Sequence, residues 1–376
     1  MFILSFLALG FAKAQNIQFE DANFEATLLS ASPDNKIAKD AKGNSVAIDA
    51  NGDGKISQAE ALNVYQLDIE GERYKYDVES MKGIEYFTNL TVLSCLNFYK
   101  LKNLDVSNMP NLVILECSIT TTGGYNSALE YLDVSKNINL QRLGLQGFAG
   151  IKTMDVSKNI NLQRLDLNST RIETLDVSKN IELLFVNLDR TGIKTLDVSK
   201  NIKLWCLYLS STEMQTLDIS KNISLIEMYL GNTEIKILDI SKNINLQGLY
   251  LSNTKIETLD VSKNTNLKEL YLSNTEMKTL DVSNNINLGT LNLKSCSGFT
   301  SLYMKNGVKK TFGGNGKSYI FRGTNLNYIC CDEDEIDEVK KYMQDLGRTS
   351  NLTITSDCET KPQEKTVLSK KTSEKL

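Results

Sequence analysis

The chain has no histidine among its 376 residues. That absence excludes Ser-His-Asp and Cys-His catalysis and removes the commonest zinc ligand, so hydrolytic chemistry becomes a poor expectation. Basic excess is lacking too. Lysine and arginine number 42 against 46 aspartates and glutamates, a net charge of −4, and nothing points to nucleic acid as a partner. No apolar run is long enough to span a bilayer. The one short run, Met1 to Phe11, is followed by Ala12-Lys13-Ala14, a small-x-small cleavage signature ahead of Gln15, although it lacks a basic leading region. Residues 1–14 therefore read as a signal peptide, and the protein as secreted or displayed at the cell surface. No cysteine follows the cleavage point, which argues against a lipoprotein anchor there.

What the chain has in abundance is one phrase. LDVSKN begins at Leu132 and returns, with small variations, about every 21 residues as far as Leu280. A fixed period of this length is the mark of a solenoid, in which each coil buries its apolar edge only by stacking on its neighbours. The aspartates of the phrase, from Asp105 through Asp133 to Asp281, are nine anchors and imply about ten coils of 21–22 residues. Two period-two apolar segments, LxL and LDV, lie half a coil apart, so short strands are expected on both sides. Strands need about 4.8 Å of spacing against about 10 Å for helices, which predicts weak curvature.

Two stretches carry a family resemblance. GIEYFTNLTVL, starting at Gly83, resembles the entry into internalin-like leucine-rich repeats. LKELYLSNTEMKTLDVSNNIN, starting at Leu267, is similar to the nested 21-residue bacterial units called IRREKO. The resemblance covers roughly residues 90–302 and implies a right-handed, mainly β solenoid that binds protein or glycan. The expected organisation is an N-terminal cap at 15–82, repeats at 83–304, a C-terminal hairpin and helical cap at 305–358, and a disordered tail at 359–376.

Residues 49–60, DANGDGKISQAE, fit the twelve-residue EF-hand loop at each defining position. Calcium takes six to eight hard oxygens. Asp49, Asn51, Asp53 and Glu60 would offer side chains, Lys55 its carbonyl, and Ser57 a direct or water-mediated contact, while Gly54 allows the tight turn. The preceding segment alternates like a strand, so the unit resembles a dockerin-type loop followed by a helix over 57–64. One unpaired loop suggests a structural Ca²⁺; the alternative is an Asx-rich turn without metal.

Within the repeats, a buried asparagine column (Asn137 to Asn285) and a threonine column (Thr170 to Thr275) are expected to satisfy turn backbone. The aspartate column should repel itself unless serine groups or the lysines three positions later balance it. On the LxL strands the middle outward position is Tyr208, Tyr229, Tyr250 and Tyr271 in four successive coils. In-register stacking would make a ribbon of exposed flat rings, flanked by Glu227 and Glu269, and preceded on the same surface by Arg164, Asp166 and Phe185. This is either a recognition face or an aromatic ladder that only stabilises the sheet. Trp205, the sole tryptophan, lies beside it as edge packing.

The N-terminal cap offers a short helix ending before Pro33, and the C-terminal cap a helix whose Ile336, Val339, Met343 and Leu346 share a face. Cys95 and Cys117 replace inward leucines and read as stacked core thiols. Cys358 is placed to pair with Cys330 or Cys331, and Cys206 and Cys296 have no evident partner. Similar secreted repeat proteins of Gram-negative bacteria close with a cysteine pair that matches Cys330 and Cys358. The expected whole is a monomeric, secreted, calcium-supported binding module without catalysis. A polysaccharide-active β-solenoid enzyme using Arg142, Arg164 and Asp166, or an inert surface spacer, are the alternatives.

Overall fold

A computed structural model describes residues 15–70, 78–119, 127–313, 318–348 and 350–358. The signal-peptide segment and the C-terminal tail expected from the sequence lie outside these residues. The rest is a β-solenoid. Among the described residues, one side of the coils forms a thirteen-stranded sheet from Ala38–Lys39 to Tyr319–Ile320. Its first strand pairs antiparallel with the second, and the twelve strands from Gln66–Glu70 onward run parallel to one another, one per coil. That exceeds the ten coils counted from the aspartate anchors, because strands Gln66–Glu70 and Tyr319–Ile320 belong to coils without an LDVSKN phrase.

Pairing is in register, Leu165 against Val186, Val186 against Leu207, Leu207 against Met228. These central residues are fully buried and form one continuous core along the rod. The second side differs from expectation. Its strands, Thr279–Asp281, Ser301–Tyr303, Tyr328–Cys330 and Thr353–Thr355, make a four-stranded parallel sheet only at the C-terminal end. In earlier coils that side is joined sparsely, as by Glu213 N–H to Ile193 O at 3.1 Å and Glu234 N–H to Met214 O at 3.0 Å.

Each coil turns twice, and the side chains that make the turns are the repeat's polar letters. At the first turn the serine amide of the phrase donates to its aspartate, as Ser199 N–H to Asp197 Oδ1 at 2.8 Å. The carboxyls of Asp133, Asp155, Asp176, Asp197, Asp218 and Asp239 are thereby held below the ordinary carboxylate range, first by that serine amide and its hydroxyl, and less by the following lysine. The column's self-repulsion is answered within each coil. The buried asparagines bridge coils instead: Asn222 Nδ2 donates to Val198 O and Asn201 O, one coil back, at 3.0 and 2.9 Å. At the second turn the threonine hydroxyl closes its own coil, Thr233 Oγ1 to Leu230 O at 2.7 Å. The residue before that threonine is left-handed, with φ between 54° and 60° at Ser169, Arg190, Ser211, Asn232, Asn253 and Asn274, and Ser295, ahead of Cys296 in the equivalent place, has φ of 63°.

The ends are closed by helices. Ala22–Leu29 is capped by Asp21, which accepts from Asn23 and Phe24 amides, and buries Phe24 and Leu28. Ile336–Asp345 follows a 3₁₀ turn and buries Val339 and Met343. In the expected hairpin region, part of which lies outside the described residues, Thr311 and Gly313 exchange backbone bonds with Tyr319. No described helix is long and apolar enough to cross a membrane.

Two cysteine pairs are bonded. Cys330 joins Cys358 with Cα atoms 5.6 Å apart, and Cys331 is free and buried. Cys95 and Cys117, expected as thiols, are a disulfide. They face each other in register on adjacent parallel strands with Cα atoms 4.5 Å apart, inside the span a disulfide accepts.

Candidate recognition face

Parallel register sets Tyr208 beside Tyr229, Tyr229 beside Tyr250, and Tyr250 beside Tyr271. The ring centroids are 4.2, 4.0 and 5.0 Å apart and the planes differ by 6°, 5° and 19°. Those distances leave no room between rings, so each of the two inner rings has both faces covered by its neighbours. The stripe therefore presents ring edges and hydroxyls, and not the flat faces expected from the sequence. The cause is the strand spacing itself: side chains sharing one orientation at about 4.8 Å stack on each other.

The flanking residues hold the stack. Tyr250 Oη donates to Glu269 Oε2 at 2.8 Å, and Tyr229 Oη to Glu227 Oε2 at 3.5 Å. Burial is the main cause that raises all four phenol pKa values, which keeps the hydroxyls as hydrogen-bond donors. Gly248 supplies room, since a Cβ there would lie 2.9 Å from the Tyr250 ring. Cys206 faces outward but is covered, and burial pushes its thiol up to about 11.

Toward the N-terminus the stack breaks. Phe185 tilts 45° from Tyr208 at 5.3 Å and lies 6.5 Å from Trp205. The Arg164 guanidinium sits 3.8 Å over the Phe185 ring and pairs with Asp166 at 3.1 Å. Arg164 is thus engaged from two sides, with Arg142 in register beside it one coil earlier. Asp189 is the feature the sequence did not single out. Burial pushes its carboxyl up to about 6, with Asp166 adding to the rise, although Asp189 accepts the Ser210 amide at 2.6 Å. Its outward position just past the strand Phe185–Asn187 was visible in the sequence, but the covering by neighbours was not.

The loop at residues 49–60 lies at the N-terminal cap, anchored by buried Ile48 and Ile56. Gly54 takes φ of 77°, as the sixth position requires. Asp49 accepts the amides of Gly52, Asp53 and Gly54, Asn51 that of Asp53, and Asp53 that of Lys55. Glu60 folds back onto the loop's start, Oε1 accepting Ala50 and Asn51 amides at 3.0 and 3.3 Å. Its Oε2 accepts from the Ser57 amide and hydroxyl, so Ser57 and Glu60 form a capping box for a one-turn helix, Gln58–Ala61, shorter than expected. Among the described residues no three acidic, cysteine or histidine side chains converge as a ready metal cluster.

No family model and no curated protein matches the chain. Solved structures do resemble its fold. An internalin, InlF, of Listeria monocytogenes shares 20% identity over 76% of this chain and 98% of its own, with a TM-score of 0.47. A leucine-rich repeat protein of Leptospira interrogans shares 16% over 79% of this chain and 97% of its own, with a TM-score of 0.48. The functional domain of InlJ from Listeria monocytogenes, which includes a cysteine ladder, shares 21% over 85% and 76%, with a TM-score of 0.41.

Proposed function

We propose that this protein is an extracellular, non-catalytic repeat module that binds another protein through the outward face of its long sheet. The carrying observation is the tyrosine stack: four ordered rings whose exposed edges and donor hydroxyls are fixed in register. Edges and hydroxyls suit the mixed apolar and polar surface of a protein, where tyrosine gives contact area at low entropic cost. Sugar stacking needs an open ring face, which the inner rings do not offer, so a glycan is the weaker candidate. The two disulfides favour an oxidising, extracellular setting. Replacing Tyr208, Tyr229, Tyr250 and Tyr271 together by serine is expected to abolish binding in a screen of surface proteins while leaving the circular dichroism of the solenoid in place. Binding unchanged in that variant would leave the stack a sheet stabiliser and the protein a spacer.

We further propose that the loop at 49–60 takes one structural Ca²⁺, held by Asp49, Asn51, Asp53, the Lys55 carbonyl and Glu60, with Ser57 at the rim. The closed wrap of the loop and the left-handed Gly54 support this donor set. Bound calcium would supply charge that ties the loop to the cap. Titration calorimetry should find one site that vanishes in Asp49→Ala, with a higher melting temperature in calcium. Absence of heat and of any thermal shift at millimolar calcium would leave the loop an Asx-rich turn.

A further inference from the structure

A second surface feature lies on the edge of the coils, away from the tyrosines. Two residues after each lysine of the phrase, at the crest of the turn, stand Ile138, Ile160, Ile181, Ile202, Ile223 and Ile244, each between 52% and 56% exposed. Ile286 continues the line beyond Thr265. At one coil spacing the line runs for about 34 Å. These isoleucines are not required by the turn. In the coil that carries Thr265, Asn264 keeps both bonds to the preceding coil, to Ile240 O and Asn243 O at 3.0 and 2.8 Å, and Asn287 still donates to Thr265 O at 3.1 Å. A half-exposed apolar column that the fold can replace with threonine, and yet carries almost throughout, is a contact surface.

Its shape and border say what kind. The line follows a chain reversal, so it is a convex ridge. A protein partner would need a matching groove of the same length, whereas a fluid lipid surface conforms to a ridge. Along one flank runs a column of exposed lysines, Lys136, Lys158, Lys179, Lys200, Lys221 and Lys242. The aspartates three residues earlier are exposed as well, but each directs one carboxylate oxygen at its own serine amide and stands farther from the ridge along the chain than the lysine does. On the other flank Trp205 is 41% exposed, a residue suited to the boundary between water and hydrocarbon. We infer that this isoleucine ridge seats the solenoid on an anionic phospholipid surface, with isoleucines entering the headgroup boundary and lysines meeting phosphates.

Trp205 is the only tryptophan, so the unmodified protein reports on its own contact. With mixed phosphatidylcholine and phosphatidylglycerol vesicles, Trp205 emission should shift to shorter wavelength and be quenched by brominated lipid, and the protein should float with the vesicles. Replacing the six isoleucines by threonine should lower partition by about tenfold or more. Lys179→Gln with Lys200→Gln and Lys221→Gln should weaken binding and blunt its salt dependence. No shift and no flotation of the unmodified protein would overturn the inference, as would flotation indifferent to the isoleucines. A concentration-dependent dimer in sedimentation velocity that the threonine variant abolishes would assign the ridge to a second copy and overturn it as well. The tyrosine-to-serine variant should float normally, which separates this surface from the sheet face.

Discussion

Asn222 sits near the middle of the buried asparagine column and is fully inaccessible. Its two amide hydrogens go to Val198 O and Asn201 O of the preceding coil. Asn222→Ala removes both bonds, worth about 1 kcal/mol each. The two carbonyls keep a backbone partner, Asn201 N–H and Leu204 N–H, so neither is stripped bare. The side-chain oxygen that alanine also removes has no donor, so its loss costs nothing. Destabilisation of about 2 kcal/mol is expected. Asn222→Asp is the sharper probe, because it sets a carboxylate against two carbonyl oxygens in the core, at about 4 kcal/mol near neutral pH. That carboxyl would be raised above its unfolded value of about 3.9. Its protonated form fits best, so stability is fully present below the unfolded pKa and is lost as pH rises through the folded one. Urea denaturation followed by circular dichroism at acidic and neutral pH measures both variants, and amide exchange should quicken first in the adjoining coils. An alanine variant within about 0.5 kcal/mol of the parent, or an aspartate variant equally stable at both pH values, would refute the view that these bonds hold coil to coil.

Asp189 gives a second pH test. Its carboxyl lies near 6 in the folded chain, pushed up by burial, against about 3.9 unfolded. The folded state binds the extra proton, so this group's contribution is intact below the unfolded value and fades as pH climbs through about 6. Asp189→Asn should flatten the fall in urea midpoint over that window; an unchanged profile would mean the carboxyl titrates normally. Arg190 holds the left-handed turn position, φ 56°, that three later coils give to Asn232, Asn253 and Asn274. Arg190→Asn should stabilise by about 0.5–1 kcal/mol in the same assay, and a loss of stability would show that the arginine side chain matters more than its backbone.

The array was legible because a solenoid asks the same question of every coil. Leu207, Met228 and Leu249 fill equivalent slots, and Asn201, Asn222 and Asn243 answer the same turn, so period and chemistry show directly in the letters. Coils that answer differently were invisible to the anchor count, as at Gln66–Glu70 and Tyr319–Ile320. The second-side sheet was overdrawn for a related reason. An alternating LDV pattern reports which side chains point inward, but a ladder also needs backbone partners, and outside the last coils these are sparse. The Cys95–Cys117 bond escaped because composition cannot tell two core thiols from a bridge; strand register can.

The tyrosine stripe was found by position and misjudged in form, and the difference bears on how it would work. Sheet stabiliser and recognition surface are rival roles only for rings that stand as separate flat faces. Stacked at 4.0–5.0 Å, with Glu269 gripping the Tyr250 hydroxyl, they are already immobilised by the scaffold. A partner that docks on their edges meets side chains whose rotamer entropy is largely lost beforehand, which is the cost that weakens most contacts of this size. The stacking that steadies the sheet therefore also preorganises the surface. On this account Gly248 contributes to binding without touching a partner, because the space it leaves lets the Tyr250 ring lie flat against Tyr229.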